Sequence, residues 1–538
     1  MKKYKILLRG IKVGHVWLLL LLMAVSAVVA LCPPLIAKLI LDRGIMLRDS
    51  GTVIILGICL VATYIASFII NYAISQSLTR ASTYFISDIK NMLFSHIMKL
   101  PMEFFDERQT GYINERIKEV DSLNVFFSPV FLRFLTSMFS LAGAAIIVAS
   151  MRWELLAIIA ICLPAIYFLG SFSGTRLKRA SSALLESTAR MAGNVQENIG
   201  GISAIKELKL EDERASAISQ QLKNLAERTV RRGRIMNATS EGMQGLVNIS
   251  TAVLVVFAAM FIIDGKMTIG DYWSLSQYAT LIFAPVQLFA SIRVLVQPGM
   301  AAMSRLSKLL DVKTEDAVEG SIDIGNVSEI DFSDVSFAYG DGGNMVISNF
   351  SMHIQNGDKV AILGKNGSGK TTLAKLMLGF YKNYNGHIRI NGAELKDISI
   401  SALRSRVGIV AQNVFLFSGT LMDNIRHASP GMTEGEVASI LENVGLDISD
   451  FPEGLNTILS ENGKALSGGQ RQKLAIARLM VKAPDVMIFD EATSNLDAAS
   501  REFFKSTILT AFADKTCIII THDADVAAIA DRIVRLTE

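Results

Sequence analysis

The sequence predicts a chain in two parts, an all-α membrane domain of six transmembrane helices followed by an α/β domain. Three observations predict this. Of the 538 residues, 51% are hydrophobic and only 19% charged, and the mean hydropathy is +0.38, more apolar than water-soluble proteins usually are. The apolarity is concentrated in six runs free of Asp, Glu, Lys and Arg, at residues 16–37, 51–79, 134–151, 155–175, 242–263 and 272–292. Beyond residue 312 the composition is mixed, and short β-rich segments alternate with helical ones.

Each run suits a bilayer crossing, because ~20 residues at 1.5 Å rise span the ~30 Å hydrocarbon layer. The membrane domain is accordingly read as residues 1–312, with the third span reaching back to about residue 130 (130–151), a polar linker at 313–329 and the α/β domain at 330–538. The first run is too long and too late for a cleaved secretory signal. Runs one and two, three and four, and five and six are joined by short links on one face. The connections 80–133 and 176–241 are long, charged and helix-like, and share their side with the N-terminus. Lys2, Lys3, Lys5, Arg9, Lys12, Arg80, Arg176, Lys178, Arg179, Arg231, Arg232 and Arg234 favour that side, which the positive-inside rule makes cytoplasmic. With few helix breakers in these connections, the helices are expected to run on as rods beyond the bilayer.

A formal net charge of +3, with no Lys/Arg tract interleaved with aromatics, gives no reason to expect a nucleic-acid partner. Cys32, Cys59, Cys162 and Cys517 lie in apolar runs without CxxC spacing and read as small buried hydrophobes rather than a metal or redox site.

The α/β domain carries its chemistry in order. Gly364, Lys365, Asn366, Gly367, Ser368, Gly369, Lys370, Thr371 and Thr372 stand between the apolar "KVAIL" and an apolar helix. Strand, glycine-rich loop and helix is the context in which G-x-x-x-x-G-K-[ST] binds a nucleotide. Backbone N–H groups close around phosphate, Lys370 supplies counter-charge and the Thr371 hydroxyl can ligate Mg²⁺. In "DVMIFDEATSNLD" a buried strand delivers Asp490 to its end, where a carboxylate can serve the Mg²⁺ shell, and Glu491 can act as general base toward a water. The strand in "CIIITHD" presents His522 in the same way. A second anion site is read at Leu466, Ser467, Gly468, Gly469 and Gln470, a capped helix start whose amphipathic helix is plain from Leu474 onward.

The order of Tyr339, Gly364–Thr371, Gln412, "LSGGQ", Asp490–Glu491, "SNLD" and His522 resembles the nucleotide-binding domain of ATP-binding cassette transporters. "LPMEFFDERQTGYINERI" and the six runs resemble the membrane domain of the exporter class, with one membrane domain fused to one cassette. The resemblance implies ATP and Mg²⁺ as ligands, with Thr371, Gln412 and Asp490 on the metal, Tyr339 stacked on adenine, Glu491 and His522 catalytic, and Ser494, Asn495, Leu496 and Asp497 forming the D-loop. It implies that Leu466–Gln470 completes the ATP held by a second copy, making a homodimer. Turns near Arg108–Ile117 and Lys206–Arg214 should dock on the cassettes, and Glu461 is expected at one such turn. The implied activity is an ATPase coupled to export by alternating access in a bacterial cytoplasmic membrane, with the N-terminus and cassette in the cytoplasm. The expected cargo is small and amphipathic or apolar, peptide first, then lipid or drug, with Asn71, Gln76, Gln277, Gln287, Arg133 and Arg293 as candidate polar groups of the cavity. An importer on the same fold and an ATP-gated channel or regulator are the alternatives.

Overall fold

The computed structural model describes residues 13–536 except 109, 316–319, 341–342, 366, 461–462, 464–465 and 494–497; the side chains of 13–16, 110, 290–291, 293–294 and 499 also lie outside the described set. Two compact units result, residues 1–95 with 113–311, and residues 96–112 with 312–538.

Nearly all of the first half is helical: α1 (Val13–Leu39), α2 (Ser50–Ile97), α3 (Met102–Asp106), α4 (Thr110–Glu119), α5 (Pro129–Met151), α6 (Trp153–Gly200), α7 (Ile202–Glu207), α8 (Glu211–Ile263) and α9 (Ile269–Leu310). Among the described residues, Trp17–Ile45, Ser50–Ile97, Gly111–Met151, Trp153–Gly200 and Glu211–Ile263 are long and apolar enough to cross a membrane. The sixth charge-free run, 272–292, lies inside α9, which carries Pro285 and Pro298. At 1.5 Å per residue, the 48 residues of α2 run about 72 Å and the 53 of α8 about 80 Å, far more than a bilayer needs. The rods expected at the ends of the long connections therefore form, as helices continuous with α2, α6 and α8.

Within this unit α6 lies along α8, and α5 and α1 pack on α9. Their core is built from Ile159, Ile166, Val247, Leu254, Tyr278 and Phe283. The buried Tyr278 hydroxyl donates to the Leu31 carbonyl of α1 at 2.7 Å, which satisfies a phenol that could not otherwise be buried cheaply. By contrast Ile55, Ile58 and Phe68 of α2 are exposed, a face whose natural solvent is lipid. Cys59 is exposed on the same helix, so the reading of all four cysteines as buried fails there; all four are free thiols.

The short links are tighter than the sequence suggests. Only Arg152 separates α5 from α6, and α1 passes directly into a π-helical turn, Ile40–Ile45. That turn aims Asp42 at the start of α9, where its carboxylate accepts from the Thr268 hydroxyl (2.7 Å) and the Gly270 N–H (3.0 Å). Lys38 adds an ion pair to Asp271 at 2.6 Å.

The second unit is α/β. Strands β1 (Glu329–Ala338), β2 (Met345–Gln355), β4 (Asn385–Ile390) and β5 (Ala393–Glu394) form an antiparallel sheet in the order β2-β1-β4-β5. A second sheet, all parallel, runs β11-β3-β10-β9-β6, from β3 (Lys359–Leu363), β6 (Val407–Val410), β9 (Val486–Asp490), β10 (Thr516–Thr521) and β11 (Arg532–Arg535). A small pair, β7 (Gly419–Thr420) with β8 (Ile458–Leu459), stands apart. Helices α10 (Lys370–Met377), α11 (Ile400–Arg406), α12 (Leu421–Arg426), α13 (Glu434–Asn443), α14 (Gly468–Lys482), α15 (Ala498–Thr510) and α16 (Ala524–Ala527) complete it.

Side chains alternate across a strand, so the parallel sheet serves two cores. Val486, Ile488, Ile518 and Ile520 point into one, which α10 joins through Leu373 and Leu376. Met487, Phe489, Cys517 and Ile519 point into the other, which α14 joins through Leu474, Ile476 and Leu479. The helix after the glycine-rich loop and the helix after "LSGGQ" thus pack on opposite faces of one sheet.

The same unit includes α3. Glu315 donates its N–H to the Lys99 carbonyl (2.7 Å) while its carboxylate takes both guanidinium nitrogens of Arg404 at 2.9 Å. Asp106 lies 3.5 Å from Lys375 of α10, and Glu103 accepts from Asn383 at 3.3 Å. The docking turn expected near Arg108–Ile117 therefore sits earlier, at Met102–Asp106, because the helix has already resumed at Thr110.

Candidate nucleotide site

Neighbouring parallel strands bring the motif residues together. In register, Thr521 of β10 stands beside Leu363 of β3, Ile520 beside Asp490 of β9, and Val410 of β6 beside Phe489. The loops that leave these carboxyl ends carry the glycine-rich segment, Glu491, His522 and Gln412, the place where open parallel sheets bind ligands.

The glycine-rich loop needs two left-handed positions, Gly367 (φ +88°) and Gly369 (φ +89°). At Gly369 a Cβ would also come within 2.8 Å of the Val346 carbonyl, so no other residue fits. Lys370, 5% exposed, donates to the carbonyls of Gly364 (2.8 Å) and Lys365 (2.9 Å), which curls the loop around its own ammonium. Asn366 lies outside the described residues. Thr372 shares a hydrogen bond with the Tyr339 hydroxyl at 2.9 Å, and Tyr339 stands edge-to-face with Phe337 and Tyr381. Lys375, a residue that motif reading missed, places its ammonium 5.6 Å over the Tyr339 ring; nothing in the sequence distinguishes it from any other helical lysine.

Glu491 is the centre of the site. Its backbone is left-handed (φ +48°), a strained conformation for a side chain of this size, and is held by an N–H bond to the Ile520 carbonyl at 2.9 Å. The consequence is convergence. Gln412 Nε2 donates to Glu491 Oε2 at 2.7 Å, while Oε1 lies 3.8 Å from Lys370 Nζ and 3.9 Å from His522 Nδ1. The His522 distance is an approach rather than a hydrogen bond.

Asp490 is 2% exposed. Burial raises its pKa, as does the charge of Glu491, against a Thr371 hydrogen bond and the charges of Lys370 and Lys375 that lower it. Its Oδ1 and the Ser368 hydroxyl are buried without a hydrogen-bond partner among the described residues. Orphaned buried oxygens of this kind call for an ion or ligand. No cluster of three or more His, Cys, Asp or Glu able to hold a metal occurs among the described residues. The donor set fits a Mg²⁺ that keeps oxygen ligands from a nucleotide and takes few from protein: Thr371, Asp490 and the amide oxygen of Gln412, whose nitrogen is spent on Glu491.

At the second anion motif the helix begins at Gly468, one turn and more before the amphipathic pattern becomes plain. A capping box overrides the two glycines: Ser467 Oγ accepts from Gln470 N (3.1 Å), and the Gln470 side chain accepts from Ser467 N (2.9 Å). The hydrogen of the Ser467 hydroxyl and the first-turn N–H groups of Gly468 and Gly469 remain to donate outward. Leu466 is buried and donates its N–H to Gly463 O at 2.8 Å. Arg478, one face further along α14, donates to the carbonyls of Phe415 (2.7 Å) and Asn424 (2.8 Å), tying the segment after Gln412 to the signature helix; sequence reading missed this arginine too. Ser494, Asn495, Leu496, Asp497 and Glu461 lie outside the described residues.

Comparison with known proteins decides the family. Residues 16–286 match the description "ABC transporter transmembrane region" and residues 347–494 match "ABC transporter". The Bacillus subtilis ABC transporter ATP-binding protein YknV is 31% identical over 521 residues, covering 95% of this chain and 85% of that protein. The chain belongs to the ATP-binding cassette (ABC) transporter family. It is also similar to an ATP-dependent lipid A-core flippase of Chromobacterium violaceum (28% over 533 residues, 98% of this chain and 91% of that one). The alpha-hemolysin translocation ATP-binding protein HlyB of Proteus vulgaris is 30% identical over 519 residues, 94% of this chain and 72% of its own. A solved bacterial Atm1-family ABC exporter with ATP bound shares the fold, with TM-score 0.84 at 22% identity over 97% of this chain and 93% of that one. This ABC transporter is a membrane protein whose ATPase is coupled to transport.

Three of its candidate cargo-facing polar groups are engaged with neighbouring side chains. Asn71 accepts from Ser26 (3.0 Å) and donates to Ser67 (3.2 Å), and Gln76 donates to Tyr72 (3.1 Å). Gln287 reaches Gln244 at 3.4 Å, which reaches Asn248 at 3.0 Å, linking α9 to α8. The Arg293 side chain lies outside the described residues.

Proposed function

We propose that the chain is one half of a homodimeric exporter in a bacterial cytoplasmic membrane, with six spans per copy and its N-terminus and cassette in the cytoplasm. ATP with Mg²⁺ is held by Gly364–Thr372, with Tyr339 stacking on adenine, and is completed by Ser467–Gln470 of the second copy. The observation that carries this reading is the separation of α10 and α14 on opposite faces of the parallel sheet. A nucleotide on the glycine-rich loop of one copy is out of reach of that copy's own signature, so a second cassette turned head to tail supplies it.

In this reading Glu491 is the general base, with Gln412 orienting its carboxylate and His522 approaching the γ-phosphate and the attacking water. Helix α14 adds its positive end to the same phosphate, worth ~0.3–2 kcal/mol. Loss of that phosphate on hydrolysis removes the shared ligand and lets the cassettes part. The D-loop residues 494–497 belong at the same dimer contact by family resemblance.

The cargo is read as small and amphipathic, peptide first, since the charge-free helices offer few unsatisfied polar groups for a sugar or ion. The relatives named for lipid A-core flipping and for haemolysin translocation support outward movement of amphiphiles. Inverted membrane vesicles given ATP should accumulate a labelled amphipathic peptide. Accumulation of lipid or drug but not peptide would reassign the cargo, and uptake only by right-side-out vesicles would reverse the direction.

A further inference from the structure

The membrane unit carries an open pocket of about 510 Å³, lined by Ser82, Thr83 and Ile86 of α2, by Asn124 and Phe127, and by Ser128 and Pro129 at the start of α5. Its level is set by the sequence. The charge-free run of α2 ends at Thr79 and that of α5 begins at Phe134. On the reading that the 80–133 connection is cytoplasmic, the cavity lies where the hydrocarbon of the inner leaflet gives way to head groups.

Its wall is mostly apolar, with donors at two positions and acceptors at two. Ser128 Oγ accepts from Phe131 N at 3.2 Å, which leaves its O–H hydrogen to donate. Asn124 is exposed, and its amide makes no hydrogen bond among the described residues. Ser82 and Thr83 spend their hydrogens on the Thr79 carbonyl, at 3.0 and 2.9 Å, so their oxygens remain as acceptors. Ile86, Phe127 and Pro129 supply apolar wall.

Two cations flank it. Arg80 stands three residues before Thr83 on α2, and Arg133 four residues after Pro129 on α5. Each therefore shares a helix face with a lining residue, one turn nearer the membrane. Both arginines are exposed, and neither is in an ion pair among the described residues. The acid on the same turn as Asn124, Asp121, is already neutralised by Lys90 at 2.7 Å.

We propose that this cavity binds the head group of an anionic glycerophospholipid of the cytoplasmic leaflet. The phosphate takes Arg80, Arg133, Asn124 and the Ser128 hydroxyl, where charge-assisted bonds are strongest. The Ser82 and Thr83 oxygens accept from head-group hydroxyls, which selects phosphatidylglycerol over phosphatidylcholine.

The test uses the full-length protein in phosphatidylcholine nanodiscs, doped with phosphatidylglycerol or phosphatidylcholine carrying a photoreactive head-group label, and maps the labelled peptides without nucleotide. The phosphatidylglycerol probe should label peptides containing residues 80–90 and 124–133 and be displaced by unlabelled phosphatidylglycerol. Arg80→Gln and Arg133→Gln should each lower labelling about fivefold, the effect of roughly 1 kcal/mol per basic residue at an anionic lipid surface. Asn124→Phe, which fills the cavity and keeps both arginines, should also reduce it. Equal labelling by the two probes, displacement by phosphatidylcholine or by inorganic phosphate, or an unaltered double arginine variant would overturn the proposal. Competition on the wild-type protein decides even if a variant misfolds. Because labelling is read without ATP, a negative result here leaves the exporter reading standing, and failure of vesicle transport leaves this one standing.

Discussion

The two faces of the parallel sheet carry the two halves of the nucleotide site unequally. On the glycine-rich side most polar groups are pre-engaged within the chain, Asp490 Oδ1 and the Ser368 hydroxyl excepted: Lys370 holds the loop carbonyls, Thr372 holds Tyr339, and Gln412 holds Glu491. On the signature side Ser467 and Gln470 satisfy each other and nothing else, leaving donors aimed outward. The first half is a machine at rest and the second is an offered surface. On the proposed reading such a chain has a complete chemistry and an incomplete binding site, which is the physical ground for expecting two copies.

Experiments can break or sharpen that contrast. The largest effect is expected at Glu491→Gln, which keeps the Gln412 contact but removes the base. Phosphate release should fall ~10²–10⁴-fold with ATP binding intact, and near-normal turnover would remove Glu491 from its role. Next is Lys370→Ala. Loss of a charged hydrogen bond worth ~1.5–3 kcal/mol should weaken nucleotide binding tenfold or more in a filter or fluorescence titration, and unchanged affinity would contradict the assignment of the loop.

On the other face, Arg478→Leu should leave the fully buried Asn424 and two carbonyls short of a donor. A stability loss of ~1–3 kcal/mol is expected in denaturant unfolding of the purified protein, together with reduced ATPase. A variant as stable as wild type would mean that the signature helix is held by its apolar face alone.

The smallest effect belongs to the membrane unit. Burial alone would raise the Asp271 pKa, yet hydrogen bonds from Lys38 and Thr268 and the charge of Lys38 hold it below the usual carboxylate value of 3.8. A depressed folded-state pKa contributes stability that is present above the unfolded pKa and lost as pH falls through the folded one. Lys38→Met should therefore lower thermal stability slightly at neutral pH and make no difference at a pH well below 3.8. A pH-independent difference would mean that the ion pair to Asp271 is not its source.

The cassette was the more legible region, for reasons visible at single residues. Phosphate chemistry fixes residue types at fixed spacing, so Gly364–Thr371, Asp490 and Glu491 stand out in a bare sequence. Long charge-free runs announce lipid equally well, because burial of backbone in hydrocarbon leaves few alternatives to helix. What stayed hidden is what depends on distant partners. Asp42 meets Thr268 across 226 positions, and Asp106 meets Lys375 only after the fold has formed. The start of the signature helix was legible, because Ser467 announces its own cap, although the amphipathic pattern is plain only from Leu474; the docking turn was placed too late, because a helix restart at Thr110 carries no Pro or Gly signal before it.

The central claim, that each ATP is shared between two chains, is tested most directly by complementation. A chain with Lys370→Ala lacks a working loop and a chain with Ser467→Arg lacks a working signature, so dimers of either alone should hydrolyse almost no ATP. Co-expressed and purified as mixed dimers through two different tags, they place the intact loop of one chain against the intact signature of the other. Phosphate release well above either parent is the predicted result; mixed dimers as inactive as the parents would contradict the account.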